Sequence, residues 1–318
     1  MSLEILDPGL LTTVQDLGRF GYQKWGVPVS GAMDPFALRA ANALVGNDQH
    51  AACLEFTLIG PKIRFTDPCM IAITGADLTP RLDGFLLENW RSYLAMPGSI
   101  LEFGERRFGA RAYLAVSGGI AVEPWLGSRS TYLLASVGGL EGRALKAGDL
   151  VPVGPGAISL PRFRIPPDRR PPYYSEPIVR VVLGPHRDRF TEEGIESFLS
   201  SEYEVTADSN RMGYRLEGPK IAHSRGPDLI SCGIPLGGIQ VPGNGKPIVL
   251  MADHQTTGGY TMVATVIQAD ISIVAQRIPG ERIRFRAVGL DEARASYRTL
   301  MDGIKAAIEQ KEMAIWSL

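Results

Sequence analysis

Residues 247–270 read PIVLMADHQTTGGYTMVATVIQAD: a short apolar run, a polar insert with two glycines, then a second apolar run rich in β-branched residues. Runs of this length bounded by turn residues read as buried strands. The pattern predicts strands over 247–252 and 262–267 joined by a hairpin at 253–260. Gly258 and Gly259 would give that turn left-handed backbone freedom and let a ligand approach its amides. Asp253, His254, Gln255, Thr256 and Thr257 place a carboxylate, an imidazole, an amide and two hydroxyls in five consecutive positions. Such a density of hydrogen-bonding groups points to a ligand-binding loop; the alternative is a solvated turn bonded to its own backbone.

The rest of the chain repeats this rhythm of short runs and turns, supported by 36 glycines and 23 prolines in 318 residues. Strands are expected over 3–6, 12–14, 54–58, 63–65, 70–74, 82–87, 99–103, 112–116, 178–183 and 203–206. Asp34 as N-cap, Pro35 at the first helical position and Gly46 at the end bracket a helix over 36–45. A second helix is expected near 191–199. Tyr297, Leu300, Met301, Ile304 and Ile308 fall at helical spacing and mark the packing face of a C-terminal helix. Six prolines within 161–177 read as a semi-rigid linker. The expected division is an N-terminal β lobe over 1–165, a C-terminal β lobe over 174–290 and a helix over 291–318. Gly60-Pro61-Lys62-Ile63 returns as Gly218-Pro219-Lys220-Ile221, an echo consistent with two related lobes.

Several function classes are disfavoured. The formal net charge is −1 and there is no Lys/Arg block, so a nucleic-acid footprint is lacking. No basic-then-apolar leader or membrane-length apolar run is seen, and a cytoplasmic location is expected. Cys53, Cys69 and Cys232 form no CxxC pair and read as reduced thiols. Metal-ligand spacings such as HExxH are missing, so no protein metal site is expected. Gly243-Asn244-Gly245-Lys246-Pro247 resembles the end of a phosphate loop, but Gln240 and Pro247 stand where glycine and Ser/Thr are needed. Ser117-Gly118-Gly119 is not a nucleophile elbow.

The remaining chemistry lies on loops at strand ends. Asn210 and Arg211 offer an amide and a planar fork suited to a carboxylate or phosphate; an ion pair is the competing role for Arg211. Asp253 can accept a proton or hold magnesium, or simply cap its turn. Gln255, Thr256 and Thr257 can bind phosphate or carboxylate oxygens. Ser30 and Gly31 precede a helix start whose amides suit an anion.

These segments together carry a resemblance. Thr12-Thr13-Val14-Gln15-Asp16, Gly26-Val27-Pro28 with Ser30-Gly31-Ala32-Met33-Asp34, Ser209-Asn210-Arg211-Met212-Gly213-Tyr214, and Asp253 with Gln255-Thr256-Thr257-Gly258-Gly259-Tyr260 resemble the allophanate hydrolase subunit 2/KipA family. The family is also called the 5-oxoprolinase C-subunit family, or biotin-dependent carboxyltransferase-related. The resemblance implies a mainly β fold with a few helices and two cyclophilin-like β-barrel lobes. It implies a KipI-type companion (the B-type subunit) and a lactam-opening A-type subunit, which together with this chain open 5-oxoproline to glutamate using ATP with magnesium. Asp253 and Arg211 would then be catalytic, with Asn210, Gln255, Thr256, Thr257, Gly258, Gly259, Ser30 and Gly31 binding substrate. The same fold serves carboxyl transfer in urea-processing enzymes. This chain has no Ala-Met-Lys-Met sequence, so covalent biotin is not expected and any biotin would ride on another protein. A non-catalytic role, as partner of a KipI-like kinase inhibitor, is the third implied reading.

Overall fold

The computed structural model describes residues 1–158, 163–174 and 177–315, with side chains described as far as Lys305. Pro161 of the expected linker and the side chain of Ile308 lie outside the described residues. The chain divides into two compact units: Met1–Arg19 with Ser30–Arg170 and Leu300–Leu318, and Phe20–Val29 with Pro171–Thr299.

The first unit contains β1 (Ser2–Asp7), β2 (Thr12–Gln15), α1 (Pro35–Val45), β3 (Cys53–Thr57), β4 (Lys62–Phe65), β5 (Cys69–Asp77), β6 (Arg81–Leu82), β7 (Phe85–Leu86), β8 (Ser92–Ala95), β9 (Ile100–Glu102), β10 (Phe108–Val116) and β11 (Leu150–Pro152). A six-stranded sheet runs β11-β1-β4-β9-β6-β7, and a five-stranded sheet runs β2-β3-β10-β5-β8. Leu3, Ile5, Ile63, Phe65 and Leu101 of the first sheet share one core with Leu54, Phe56, Ile71, Ile73, Leu114 and Val116 of the second. β1 alternates buried and partly exposed residues, as a sheet with one wet face should. β5 and β10 are buried almost end to end because α1 covers their other face. α1 starts and stops as its caps dictate: the Asp34 carboxylate accepts the Ala37 amide at 2.9 Å, and Gly46 closes it at φ 77°.

One expected strand is corrected here. Residues 82–87 are not continuous; β6 and β7 form a tight hairpin, Arg81 opposite Leu86 and Leu82 opposite Phe85. Asp83 and Gly84 both have positive φ, the two-residue Asp-Gly turn that folds a strand back on itself.

The second unit holds β12 (Ile178–Leu183), α2 (Glu192–Ser200), β13 (Glu202–Val205), β14 (Gly213–Glu217), β15 (Asp228–Gly233), β16 (Gly238–Gln240), β17 (Ile248–Leu250), β18 (Thr257–Tyr260), β19 (Met262–Val266), α3 (Ile271–Ala275) and β20 (Arg282–Ala287). α4 (Leu290–Ile315) begins in this unit; its residues from Leu300 on, with Ile304 fully buried, belong to the first. Seven of these strands close a barrel in the order β12-β19-β16-β17-β14-β13-β20, sealed by a parallel β12–β20 pair. β20 shows the period of a barrel wall: Ile283 and Phe285 point inward, Arg282, Arg284 and Arg286 outward. Inside, Phe285 stacks on Phe198 of α2 at 4.6 Å.

The expected hairpin at 253–260 is also corrected. β17 pairs with β14 and β16, β19 pairs with β12 and β16, and β16 lies between them. Residues 257–260 are not a turn but β18, which pairs with β15 as a separate two-stranded ribbon. Gly258 and Gly259 have no positive φ. A Cβ on Gly258 would sit 2.5 Å from the Gln240 Nε2 atom, so any larger residue there must displace the end of the Gln240 side chain.

Candidate functional site

The candidate residues fall in both units. In the second unit the β14–β17 ladder carries on beyond its paired strands: the Met251 amide donates to Met212 O, and the Asp253 amide to Arg211 O at 2.8 Å. That register brings Arg211 beside Asp253. The Arg211 Nε donates to Asp253 Oδ2 at 2.8 Å and its Nη2 to Oδ1 at 3.1 Å. The two side chains are 10% and 5% exposed. A bidentate guanidinium–carboxylate clasp of this geometry joins the two loops as a unit. Asn210 is exposed; its Oδ1 accepts the Met212 amide at 2.8 Å and shapes the turn into β14. Gln255 and Thr257 are exposed and Thr256 half-buried.

His254 lies next to the clasp, buried to 9% exposure. Its Nδ1–H donates to the Gln255 carbonyl at 2.6 Å, since a carbonyl only accepts. The ring is thereby fixed in one neutral tautomer, with Nε2 as the acceptor. Burial pushes the imidazole below the usual histidine value, outweighing upward pulls from the Gln255 bond and the Asp253 charge. Gln240 is 2% exposed, and among the described residues no acceptor meets its Nε2. Pattern alone singles out neither His254 nor Gln240. The signal for His254 was its place between Asp253 and Gln255; for Gln240 there was none.

In the first unit, Ser30 and Gly31 lead into α1 with φ of 59° and 92°. A Cβ on Gly31 would lie 2.8 Å from backbone atoms of Leu17 and Gly18. The anion at this helix approach is the protein's own: Glu55 Oε2 accepts the Met33 amide at 2.9 Å and the Tyr113 hydroxyl at 2.6 Å. The Tyr113 oxygen in turn accepts the Asp34 amide at 2.8 Å. Nearby, buried Asp16 accepts from Ser128 Oγ, Ser130 Oγ and the Arg129 and Gly18 amides. Arg19, fully buried, donates to Ser130 O and lies over the Trp125 ring at 5.1 Å.

Other chemistry is muted. Cys53 and Cys69 are buried, and burial raises both thiols, Cys69 to about 12, so neither is an available nucleophile. Among the described residues no three His, Cys, Asp or Glu side chains gather to hold a metal ion, and no helix is long and apolar enough to cross a membrane. The barrel also carries an open groove of about 490 Å³ lined in part by Glu202, Arg277, Glu281, Arg282 and Arg284. Its charges pair with one another, as in Arg284–Glu202 at 2.6 Å, and no candidate residue lines it.

The family model for the carboxyltransferase domain, subdomain A and B, matches residues 25–287. The chain is 41% identical to the C subunit of 5-oxoprolinase from Escherichia coli over 300 residues, covering 92% of this chain and 93% of that one. It is 35% identical to the corresponding C subunit from Haemophilus influenzae, covering 97% and 99% respectively. Among solved structures, urea amidolyase of K. lactis superposes with a TM-score of 0.88 at 34% identity, over 95% of this chain and 20% of that much longer protein.

Proposed function

Since the chain belongs to the carboxyltransferase subdomain A and B family, we propose that it forms part of an ATP-dependent 5-oxoprolinase, active with companion subunits. The observation that carries this reading is the match to two 5-oxoprolinase C subunits over 93% and 99% of their lengths. The chemistry fits. A lactam carbonyl is a poor electrophile; phosphorylating its oxygen with ATP makes a good leaving group, and water then opens the ring to glutamate. Such a substrate presents a carboxylate, a carbonyl and an N–H, which call for a few directed donors and acceptors. Asn210, Gln255, Thr256 and Thr257 are the exposed or half-buried polar groups assigned to bind it. Both oxygens of Asp253 are engaged by Arg211. In this reading the pair therefore positions the 253–257 segment, with ATP and magnesium supplied at the level of the complex. Partners are a KipI-type (B-type) protein and a lactam-opening A-type subunit. Mixed with both, the chain should release phosphate and glutamate from ATP and 5-oxoproline; no 5-oxoproline-dependent phosphate release from the full set rejects the reading.

A second reading, carboxyl transfer to urea from biotin carried on another protein, is favoured by the likeness to K. lactis urea amidolyase at a TM-score of 0.88. The chain spans about a fifth of that protein, so its full activity is not carried over with the fold. Urea-dependent loss of carboxybiotin in the presence of the chain supports this second reading, and loss no faster than background removes it.

A further inference from the structure

Within residues 253–257 of the second unit, His254 is the ionisable side chain that the Arg211–Asp253 clasp leaves unused. Three observations define it: burial to 9% exposure, the 2.6 Å bond from Nδ1 to the Gln255 carbonyl, and its position directly after Asp253. The bond locks the ring plane and the tautomer at once. Among the described residues no hydrogen-bond partner meets Nε2, which in this tautomer carries the ring's free lone pair.

We propose that His254 is a catalytic residue whose Nε2 takes the proton from the amide-type N–H of the substrate. This rests on the reading of the substrate as a lactam, or in the second reading urea; both carry an N–H beside a carbonyl. With the lactam, the N–H bond breaks and an Nε2–H bond forms. The freed electron pair spreads over N, C and O, and the oxygen bonds to the γ-phosphorus of ATP as ADP leaves with the electrons of the broken P–O bond. The products are the O-phosphorylated ring, ADP and a protonated His254. With urea, the same proton loss lets the nitrogen bond to the carboxyl carbon of carboxybiotin as the biotin N1–carboxyl bond breaks. The ureido nitrogen leaves with that electron pair and takes the proton back from His254 Nε2, giving carboxylated urea, biotin and a neutral imidazole. Burial keeps the imidazole neutral near pH 7, ready for this role. The charged groups beside it are Asp253 on its own segment and Arg211 from the turn before β14. Arg211 holds the Asp253 carboxylate, whose charge still favours the incoming proton while burial opposes it.

The test separates base from scaffold. In His254→Asn the amide Nδ2 can still donate to the Gln255 carbonyl, but the Nε2 acceptor is gone. In the complete complex, with 5-oxoproline and ATP, this variant should keep the wild-type melting temperature and KM while kcat falls by about 10²–10⁴. Its residual rate should lose the acid limb of the wild-type pH profile. A kcat within about threefold of wild type would overturn the proposal and leave the proposed function standing, because the wild type still turns over. So would a loss in His254→Leu that His254→Asn does not share, since that is the mark of a scaffold. Should wild type be inactive both in that mixture and with urea and carboxybiotin, the functional reading fails by itself. The imidazole ¹⁵N resonances of the chain then decide: an Nε2 that responds to neither 5-oxoproline nor urea overturns the proposal, and a selective Nε2 shift supports it.

Discussion

Two regions of the molecule bury carboxylates and hold them with different donors. In the second unit, Asp253 faces a cation, and Arg211 grips both its oxygens. In the first, the donors seen at Glu55 and Asp16 include backbone amides, serine hydroxyls and the Tyr113 phenol. A charge pair ties its partners together strongly but leaves a large penalty when one member goes. A set of neutral donors spreads the same task over several weaker bonds, each replaceable at smaller cost. The first arrangement suits a clasp between two loops, the second a rigid approach to a helix.

The largest effect should come from breaking the clasp. Arg211→Ala strands a buried carboxylate and should cost about 3–5 kcal/mol of stability, read by urea denaturation. Arg211→Lys keeps the charge but loses the planar fork. Its stability loss should be near 1 kcal/mol, while kcat/KM of the reconstituted complex drops about ten- to a hundredfold. Full activity in Arg211→Lys would reduce the clasp to a purely structural tie.

Next come the two glycines. Gly31→Ala meets rigid backbone at 2.8 Å and must hold a φ of 92°, whereas Gly258→Ala meets the end of the Gln240 side chain. Overpacking costs about 1–3 kcal/mol, and Gly31→Ala should sit at or above the upper end, with Gly258→Ala at the lower. The reverse order in melting temperatures would mean that Gln240 is held more firmly than the α1 approach.

On the neutral-donor side, Tyr113→Phe removes one donor from Glu55 and the acceptor of the Asp34 amide. A loss of about 1–3 kcal/mol is expected, smaller than for Arg211→Ala. A loss as large as the Arg211→Ala value would erase the distinction between the two regions.

The smallest effect is in pH dependence, and its sign differs between the regions. The folded His254 value lies below the ordinary 6.5, so as pH falls through 6.5 the unfolded chain takes up the proton first and stability is lost. Burial and the neighbouring Glu55 hold the Tyr113 phenol well above its ordinary 10, so its contribution is lost as pH rises past 10. His254→Asn should flatten part of the acid arm and Tyr113→Phe part of the alkaline arm, measured as urea midpoints against pH. His223 and Tyr203, shifted in the same directions by burial, retain their shares.

Local pattern determined a great deal. The short β-branched runs, the Asp34 and Gly46 caps of α1 and the Ile304 stripe of α4 each depend on residues within a turn or two of one another, and such short-range chemistry is written directly in sequence. Motif residues such as Asn210-Arg211 and Asp253–Gly259 were legible as polar sets at strand ends. What they touch was not. Which strand pairs with which is decided by closing a barrel: β16 lies between β17 and β19 although it precedes both, and this dissolved the expected hairpin and turned 257–260 into a strand of its own. The Arg211–Asp253 clasp spans 42 positions and the Tyr113–Glu55 bond 58, separations over which no periodicity carries information. The role of Gly258 also waited on tertiary structure, because the side chain that a Cβ there must displace belongs to Gln240 on another strand. Backbone preference acts between neighbours; burial and charge pairing act between whichever residues the closed barrel brings together.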